Sequence, residues 1–244
     1  MSSLASLQRM VKRVLRRNGI DLVWYSPATH PLARRARLIS TYKINVVLDV
    51  GANIGQYGRK LRELGYQGQL ISFEPLTAAY TVLSDIAQSD TSWKTMNMAL
   101  GNTEGSFVIN ISGNSQSSSL CQILKEHEDT APESKVIGKE VVTVKTLDSL
   151  FDQLCSNDDQ VLLKIDTQGY EKHVLEGADR ALRHIQTLQI EMSLVPLYRD
   201  EMLFPQMVDW LARKGFQLVA LEPGFSNAGT GQLLQIDGMF HRPS

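Results

Sequence analysis

The chain has 244 residues, of which 43% are hydrophobic and 21% charged, and its formal net charge is −1. This length and composition predict one large α/β domain and exclude a disordered chain and a general binder of polyanions. The two cysteines, Cys121 and Cys155, have no spacing typical of a disulfide framework or a zinc site, which favours a reducing compartment. No apolar run approaches the ~18–20 residues of a membrane span and no secretory signal is recognisable, so a cytoplasmic location is expected.

The first 37 residues are strongly basic, with eight Lys and Arg residues against the single acid Asp21. Apolar residues recur at three- and four-residue steps up to Leu15, which predicts an amphipathic helix that ends at Asn18-Gly19. Its apolar side is expected to dock on the main domain or in a homodimer. The alternative is peripheral contact with an anionic membrane surface or an acidic glycan carrier. A second helix is predicted over 31–40.

From residue 44 onward, predicted strands and helices alternate, which is typical of a mainly parallel sheet. We therefore expect an N-terminal helical extension over 1–42 and a Rossmann-like domain over 43–244. The predicted strands start near residue 44 and continue with 69–73, 94–98, 107–111, 140–146, 161–166, 188–192, 216–221 and 232–239. The predicted helices of this part are 56–64, 77–88, 147–154, 170–176, 178–184 and 204–214.

Two parts of this pattern depart from simple alternation. Residues 102–146 predict an antiparallel insertion, because two extended runs flank the flexible, serine-rich loop 113–119, which is expected to form a lid. The last two predicted strands can pair as an antiparallel hairpin. The expected architecture is a seven-stranded, mostly parallel sheet with a terminal antiparallel hairpin and a β-insertion.

The stretch 46–57 predicts a nucleotide site. Its β-branched residues indicate a buried strand, Gly51 a sharp turn, and Gly55 the start of an amphipathic helix. Ligands of such sheets bind outside the carboxyl ends of the strands. An acid, Glu74, stands at the tip of the next predicted strand, 25 residues after Asp49, where it suits the hydroxyl groups of a ribose.

The sequence of this turn favours a cationic nucleotide over a dinucleotide. A dinucleotide fold uses G-x-G-x-x-G, but this turn is D-x-G-x-x-x-G with Asn53 in the middle, so a pyrophosphate would meet side-chain bulk and the Asp49 carboxylate. S-adenosylmethionine has no phosphate and carries a sulfonium and an amino group, which Asp49 is expected to pair with. The alternative is that Asp49 only marks the helix entry and Gly51 is a plain turn residue.

A second group of polar residues lies near the end of the predicted strand 161–166. Lys164 and Asp166 share one face of this apolar strand, and a buried lysine requires a carboxylate, for which Asp166, Glu171 and Glu191 are the candidates. Asp166 and Glu191 end predicted neighbouring strands, so they are expected to meet above the site and to orient or deprotonate an acceptor hydroxyl. The alternative is a structural ion pair.

Three further residues are candidates by position. His173 lies on the helix after Gly169 and is either a proton acceptor or a solvent-facing side chain. Asn97 and Ala99 follow the third predicted strand, where they are candidates for lining an adenine pocket.

At this point the sequence resembles the FkbM-type S-adenosylmethionine-dependent methyltransferases. The resemblance covers roughly residues 44 to 240. It implies a class I methyltransferase fold and O-methylation, commonly of sugar hydroxyls in secondary metabolites, glycolipids or surface polysaccharides. The motifs that carry it are Asp49–Gly55, Phe73-Glu74-Pro75, Ala99-Leu100-Gly101, Ser117–Leu120, Thr146-Leu147-Asp148 and Lys164–Ala178. On this family's pattern the cofactor-binding positions are Asp49, Gly51, Asn53, Gly55, Glu74 and Pro75.

One position departs from the usual Lys-x-Asp-x-Glu-Gly-x-Glu pattern of the family. Gln168 stands where the first glutamate is expected. A neutral amide weakens a metal site and leaves a hydrogen-bonding role open, so Mg²⁺ is possible but no metal ligand is predicted.

Three rival functions are considered. A nicotinamide-dependent oxidoreductase would need a phosphate-binding turn that this sequence lacks, and a non-catalytic binding module would not need the Asp49 and Glu74 pair. Nucleic-acid methylation is disfavoured because the chain beyond residue 37 has a formal charge of −8, which repels phosphates. The predicted acceptor is therefore a small molecule or a glycan.

Overall fold

The structure is a computed structural model that describes the backbone of residues 2–243 and the side chains of residues 9–243. Internal contacts divide the chain into two units, Met1–Tyr42 and Lys43–Ser244. The first unit contains two helices, α1 (Ser2–Arg17) and α2 (Pro31–Thr41). Both predicted helices are thus confirmed, and Gly19 follows α1 in the left-handed conformation expected of a C-terminal stop.

The second unit is built on a seven-stranded sheet, which confirms the predicted α/β architecture. The sheet order is β3-β2-β1-β7-β8-β10-β9, and the pairs are parallel except for those of β10, which runs antiparallel to β8 and β9. Every residue of β1 and β7 is buried, as expected of central parallel strands. The strands of this sheet are β1 (Val46–Val50), β2 (Gln69–Phe73), β3 (Trp93–Met96), β7 (Val161–Ile165), β8 (Thr187–Ser193), β9 (Gln217–Pro223) and β10 (Gln235–His241).

Helices connect these strands. They are α3 (Gln56–Glu63), α4 (Thr77–Ala87), α5 (Lys125–Thr130), α6 (Leu147–Leu154), α7 (Glu171–Glu176) and α8 (Phe204–Arg213). Helix α5 was not expected, because its sequence has no apolar period. The predicted helix over 178–184 is wrong in length, since only a 3₁₀ turn, Ala181–Arg183, forms there. The Asp148 carboxylate accepts hydrogen bonds from the backbone N–H groups of Arg180 and Ala181. The helical segment that starts there is therefore only one turn long before β8 begins.

A separate three-stranded sheet corrects the predicted insertion. It consists of β4 (Ala99–Leu100), β5 (Gly105–Ser112) and β6 (Val136–Lys145), in the order β4-β6-β5. The pair β5–β6 is antiparallel as predicted, but β4 pairs with β6 in parallel. The predicted strand 94–98 is split because Asn97 turns the chain, and its amide donates to the carbonyl oxygens of Glu74 and Pro75 at 2.9 and 3.0 Å.

The serine-rich loop is a hydrogen-bonded turn rather than the flexible segment that was expected. Residues Ser115–Ser117 form a 3₁₀ turn, in which the Asn114 side chain accepts the backbone N–H of Ser117. Ser117 and Ser119 are 5% and 1% exposed. Their hydroxyl groups form hydrogen bonds within the protein that a polar loop otherwise forms with water. Within residues 2–243, no helix has both the length and the apolar character needed to cross a membrane.

Candidate active site

The turn after β1 depends on three left-handed residues. Gly51, Asn53 and Gly55 have φ angles of 78°, 48° and 84°, which glycine and asparagine tolerate best. The backbone N–H groups of Gly51 and Ala52 donate to the Phe73 carbonyl oxygen. A Cβ atom on Gly51 would lie 1.8 Å from the Asp166 carbonyl oxygen, so this position requires glycine for space as well as for conformation. The chain then enters α3 at the carboxyl edge of the sheet.

Glu74 closes this turn from the tip of β2. Its two carboxylate oxygens accept the backbone N–H groups of Asn53 at 2.8 Å and Leu76 at 2.9 Å. Each oxygen keeps a lone pair for a further hydrogen bond. The side chain is buried, and this burial raises the pKa of Glu74 to about 7. The side-chain amide of Asn97 donates to the Glu74 carbonyl oxygen, and Ala99 is buried in β4. These two residues, which were predicted to line an adenine pocket, both lie in the segment that follows β3.

Lys164 forms the charged centre of the site. Its Nζ lies 3.1 Å from Asp49 Oδ1 and 3.4 Å from Asp166 Oδ2, and it donates to the Gly51 carbonyl oxygen at 3.3 Å. Burial alone would lower the pKa of Lys164, but the two carboxylates raise it above its usual value. The ammonium group therefore stays charged and joins the turn after β1 to the acid after β7.

The sequence predicted only one of these two partners correctly. Asp166 was among the three candidates for Lys164, whereas Asp49 was assigned to the amine of a ligand. Asp49 has no exposed surface and also accepts a hydrogen bond from Ser72, and its expected contact with a ligand amine remains a prediction. The parallel register pairs Asp49 with Lys164 on adjacent strands, which is the signal that identifies the ion pair.

Gln168 brings the two predicted acceptor-side carboxylates together. Its Nε2 donates to Asp166 Oδ1 at 2.8 Å and to Glu191 Oε2 at 2.6 Å. Its Oε1 accepts the Tyr198 hydroxyl at 2.6 Å, and Gln235 donates a further hydrogen bond to Glu191 Oε2 at 2.8 Å. One side-chain amide thus fixes the separation of the two acids.

The two carboxyl groups differ in their surroundings. Burial and the neighbouring Asp166 and Asp237 carboxylates raise the pKa of Glu191 well above its usual value. Asp166 instead pairs with Lys164, and a third of its side chain is exposed. Pairs of acids whose environments differ in this way divide the roles of acid and base between them. Asp166 is the member of the pair that forms an ion pair with Lys164.

Further side chains hold the 166–169 turn in place. The Glu171 carboxylate accepts the backbone N–H groups of Thr167 and Gly169, at 2.8 and 3.2 Å. The Ser119 hydroxyl donates to the Gln168 carbonyl oxygen at 2.6 Å, and the Asn53 amide donates to the Ser115 hydroxyl at 3.3 Å. The serine turn therefore contacts both the turn after β1 and the turn after β7, and its role as a lid remains a prediction.

The sequence analysis did not identify Tyr198, Gln235, Tyr57 or Gln189. The Tyr57 hydroxyl donates to the Gln189 amide oxygen at 2.7 Å, and its ring centroid lies 5.3 Å from Lys164 Nζ. Buried glutamines in strands are the available signal, since Gln189 and Gln235 are 3% and 4% exposed. A buried amide requires hydrogen-bond partners, which here are the groups of the site.

The structure shows the surroundings of His173, for which the sequence left two alternatives. Its ring stacks on that of Tyr170 at a centroid distance of 4.2 Å, and its Nδ1 is buried without a hydrogen-bond partner. Partial burial lowers the pKa of His173, which favours the neutral ring. Its proposed part in proton transfer remains a prediction.

The residues fit a cationic nucleoside better than an anionic one. Carboxylates line the carboxyl edge of the sheet at Glu74 and Asp166, and the turn between them presents Asn53 where a phosphate would need glycine. The contacts of Glu74 with a ribose and of Asn97 with an adenine remain predictions. Among the described residues, no group of three or more His, Cys, Asp and Glu side chains is arranged to hold a metal ion.

Some solved structures with a similar chain path are described as methyltransferases, and their identity to this chain is low. A putative tRNA (m1A22) methyltransferase from Streptococcus pneumoniae is 15% identical with a TM-score of 0.47, and the match covers 86% of this chain and 70% of that chain. Magnesium protoporphyrin IX methyltransferase from Synechocystis PCC 6803, with bound S-adenosylmethionine, is 10% identical with a TM-score of 0.46 and coverages of 87% and 78%. No curated protein matches the chain.

A family model gives the assignment. The model described as "Methyltransferase FkbM domain" matches residues 49–218, which is most of the second unit. The matched range includes the turn after β1, Glu74, Lys164, Asp166, Gln168 and Glu191. The chain therefore belongs to the FkbM methyltransferase family, whose methyl donor is S-adenosylmethionine.

Proposed function

We propose that this protein is an O-methyltransferase that methylates a hydroxyl group of a sugar, in a glycan, a glycolipid or a secondary metabolite. The observation that carries the proposal is the pair Asp166 and Glu191, held by Gln168 beside the turn after β1. An acceptor hydroxyl must lose a proton during methyl transfer, and a carboxylate at this place can accept it. The sugar class follows from the family resemblance and from the hydrogen-bonding side chains that surround Asp166.

Bound S-adenosylmethionine supplies an electrophilic methyl group on a sulfonium. An acceptor oxygen would displace S-adenosylhomocysteine from that methyl group, and residues that position the oxygen would provide a large part of the rate acceleration. Asp166 accepts the hydroxyl proton as the oxygen attacks. Lys164 and Gln168 fix the Asp166 carboxylate by one ion pair and one hydrogen bond. Glu191 accepts the other amide hydrogen of Gln168, and burial beside the Asp166 carboxylate raises the pKa of Glu191 well above its usual value.

The substitution Asp166→Asn tests this assignment. It removes the base but keeps a side chain of the same size, so we expect kcat to fall by ~10²–10⁴-fold. The affinity for S-adenosylhomocysteine, measured by calorimetry, should change little, because Glu74 and the turn after β1 remain. Methyl transfer from radiolabelled S-adenosylmethionine to a panel of methyl hexosides and glycolipids provides the activity.

Asp152→Asn is the matched control, since Asp152 is an exposed acid on α6 that pairs with Arg180. It should leave both measurements unchanged. Full turnover by the Asp166→Asn variant would refute the role of Asp166. Product analysis that places the methyl group on nitrogen or carbon would refute O-methylation, whichever residue acts as the base.

A further inference from the structure

Residues 9–25, which we call the N-terminal segment, expose apolar side chains in two consecutive stretches. The first stretch lies on α1, where Met10, Val11 and Val14 are 64%, 42% and 54% exposed. These positions are three and four residues apart or adjacent, so they form one stripe of the helix. Soluble proteins seldom expose contiguous apolar surface without a partner.

The opposite side of α1 is basic. Residues at steps of three and four, such as Lys12 and Arg16, share a face that the apolar stripe does not include. The single acid of the segment, Asp21, pairs with Arg16 at 3.0 Å and leaves the segment with a clear excess of positive charge. The basic residues of this face are Arg9, Lys12, Arg13, Arg16 and Arg17.

The second stretch follows α1 directly. After Asn18 and Gly19 end the helix, the chain continues without regular secondary structure through five apolar residues and Asp21. Their exposure ranges from 50% at Leu22 to 72% at Trp24. The five are Ile20, Leu22, Val23, Trp24 and Tyr25. Tryptophan and tyrosine are the residues that concentrate at the boundary between water and lipid, where an apolar ring and a polar tip are both satisfied.

The charge of the segment decides between two occupants of this apolar surface. A second copy of the chain would place one basic segment against another, and this like-charge contact opposes association. An anionic lipid surface presents acyl chains for the apolar stripe and negative headgroups for the basic face. From this complementarity we propose that the N-terminal segment binds the surface of an anionic lipid bilayer, with α1 lying in the interface and Trp24 and Tyr25 at headgroup depth.

Vesicle co-sedimentation of the full chain tests this proposal. We expect binding to vesicles of phosphatidylcholine mixed with phosphatidylglycerol and none to phosphatidylcholine alone. Raising the salt concentration from about 0.1 to about 1 M should weaken binding, because it screens the charges. The double substitution Lys12→Glu and Arg13→Glu should lower the partition coefficient at least about tenfold. Trp24→Ser with Tyr25→Ser should have an effect of similar size, since it removes apolar area.

The matched control carries Ile137→Ser and Val141→Ser on β6, whose side chains are 71% and 68% exposed. It removes comparable apolar surface outside the segment and should bind vesicles like the parent chain. Stabilisation by S-adenosylhomocysteine in a thermal-shift assay verifies that each variant is folded. Equal binding to neutral and anionic vesicles, or unchanged binding of the charge-reversed variant, would overturn the proposal. So would a dimer, detected by analytical ultracentrifugation, that Trp24→Ser dissociates.

Discussion

The two sides of the active site are built in different ways. The donor side is a property of the backbone: Gly51, Asn53 and Gly55 adopt left-handed conformations, and Glu74 accepts two main-chain N–H groups. The acceptor side is a property of side chains, since Gln168 joins Asp166, Glu191 and Tyr198 by three short hydrogen bonds. The donor side therefore depends on backbone conformation, and the acceptor side depends on hydrogen bonds between residues that are distant in sequence.

Two contacts join these sides. Lys164 reaches Asp49, the Gly51 carbonyl oxygen and Asp166, and Gly51 itself packs against the Asp166 backbone. The donor turn and Asp166, the proposed base, therefore share one buried cation and one close backbone contact. A change of Lys164 or of Gly51 should affect both sides, whereas a change at Glu74 should affect only the donor side.

The largest effect is expected from Gly51→Ala. A left-handed alanine costs about 1–2 kcal/mol, and overpacking against the Asp166 carbonyl oxygen adds about 1–3 kcal/mol. We expect lower stability in urea unfolding together with the loss of S-adenosylhomocysteine binding. Gly65→Ala is the matched control, because Gly65 has a φ of 86° and nothing within 4 Å of the added Cβ. If the two variants were equally stable and both bound ligand, the close contact would have no energetic role.

The donor side was also the more predictable one from sequence. Glycines and an asparagine in a turn after an apolar strand indicate left-handed conformations directly, and Glu74 follows at a fixed spacing. The mostly parallel sheet and its terminal hairpin followed from the same alternation. The split of 94–98 into β3 and β4 did not, because it depends on the hydrogen bonds that Asn97 makes to a neighbouring segment.

The acceptor side was only partly predictable. Lys164, Asp166 and Glu191 could be assigned to one edge, since strand ends of a parallel sheet meet there. The partner Asp49 was missed because a motif position suggested a ligand contact before the register of β1 and β7 was considered. Tyr198 and Gln235 lie outside any local pattern, and only the folded chain brings them to Gln168 and Glu191.

A loss of stability of the same order is expected from Lys164→Met. It leaves the fully buried Asp49 carboxylate without its cation, a change that typically destabilises a protein by about 3–5 kcal/mol. Urea unfolding measures the loss, and methyl transfer should fall as well because Asp166 loses its ion pair. Adding Asp49→Asn to the Lys164→Met variant removes the buried charge and should restore most of the stability but not the activity. A double variant as unstable as the single one would show that the ion pair is not the cause.

The smallest expected effect is a pH dependence of the affinity for S-adenosylhomocysteine, which tests the donor side alone. Burial raises the pKa of Glu74 to about 7, and the predicted contact with a ribose is a hydrogen bond that a hydroxyl group donates to the ionised carboxylate. Protonation below pH 7 removes this acceptor, so the affinity for S-adenosylhomocysteine should fall about tenfold per pH unit at most, or ~1.4 kcal/mol.

The same pKa shift gives the stability of the ligand-free protein the opposite dependence on pH. A carboxyl group whose pKa rises from 4.5 to about 7 on folding makes the protein less stable as the pH increases through that interval. Calorimetric titrations between pH 6 and 8 measure the affinity, and Glu74→Gln should bind weakly at every pH with no such slope. A slope that persisted in Glu74→Gln would assign the titration to another group, and the donor side would then not be governed by Glu74 alone.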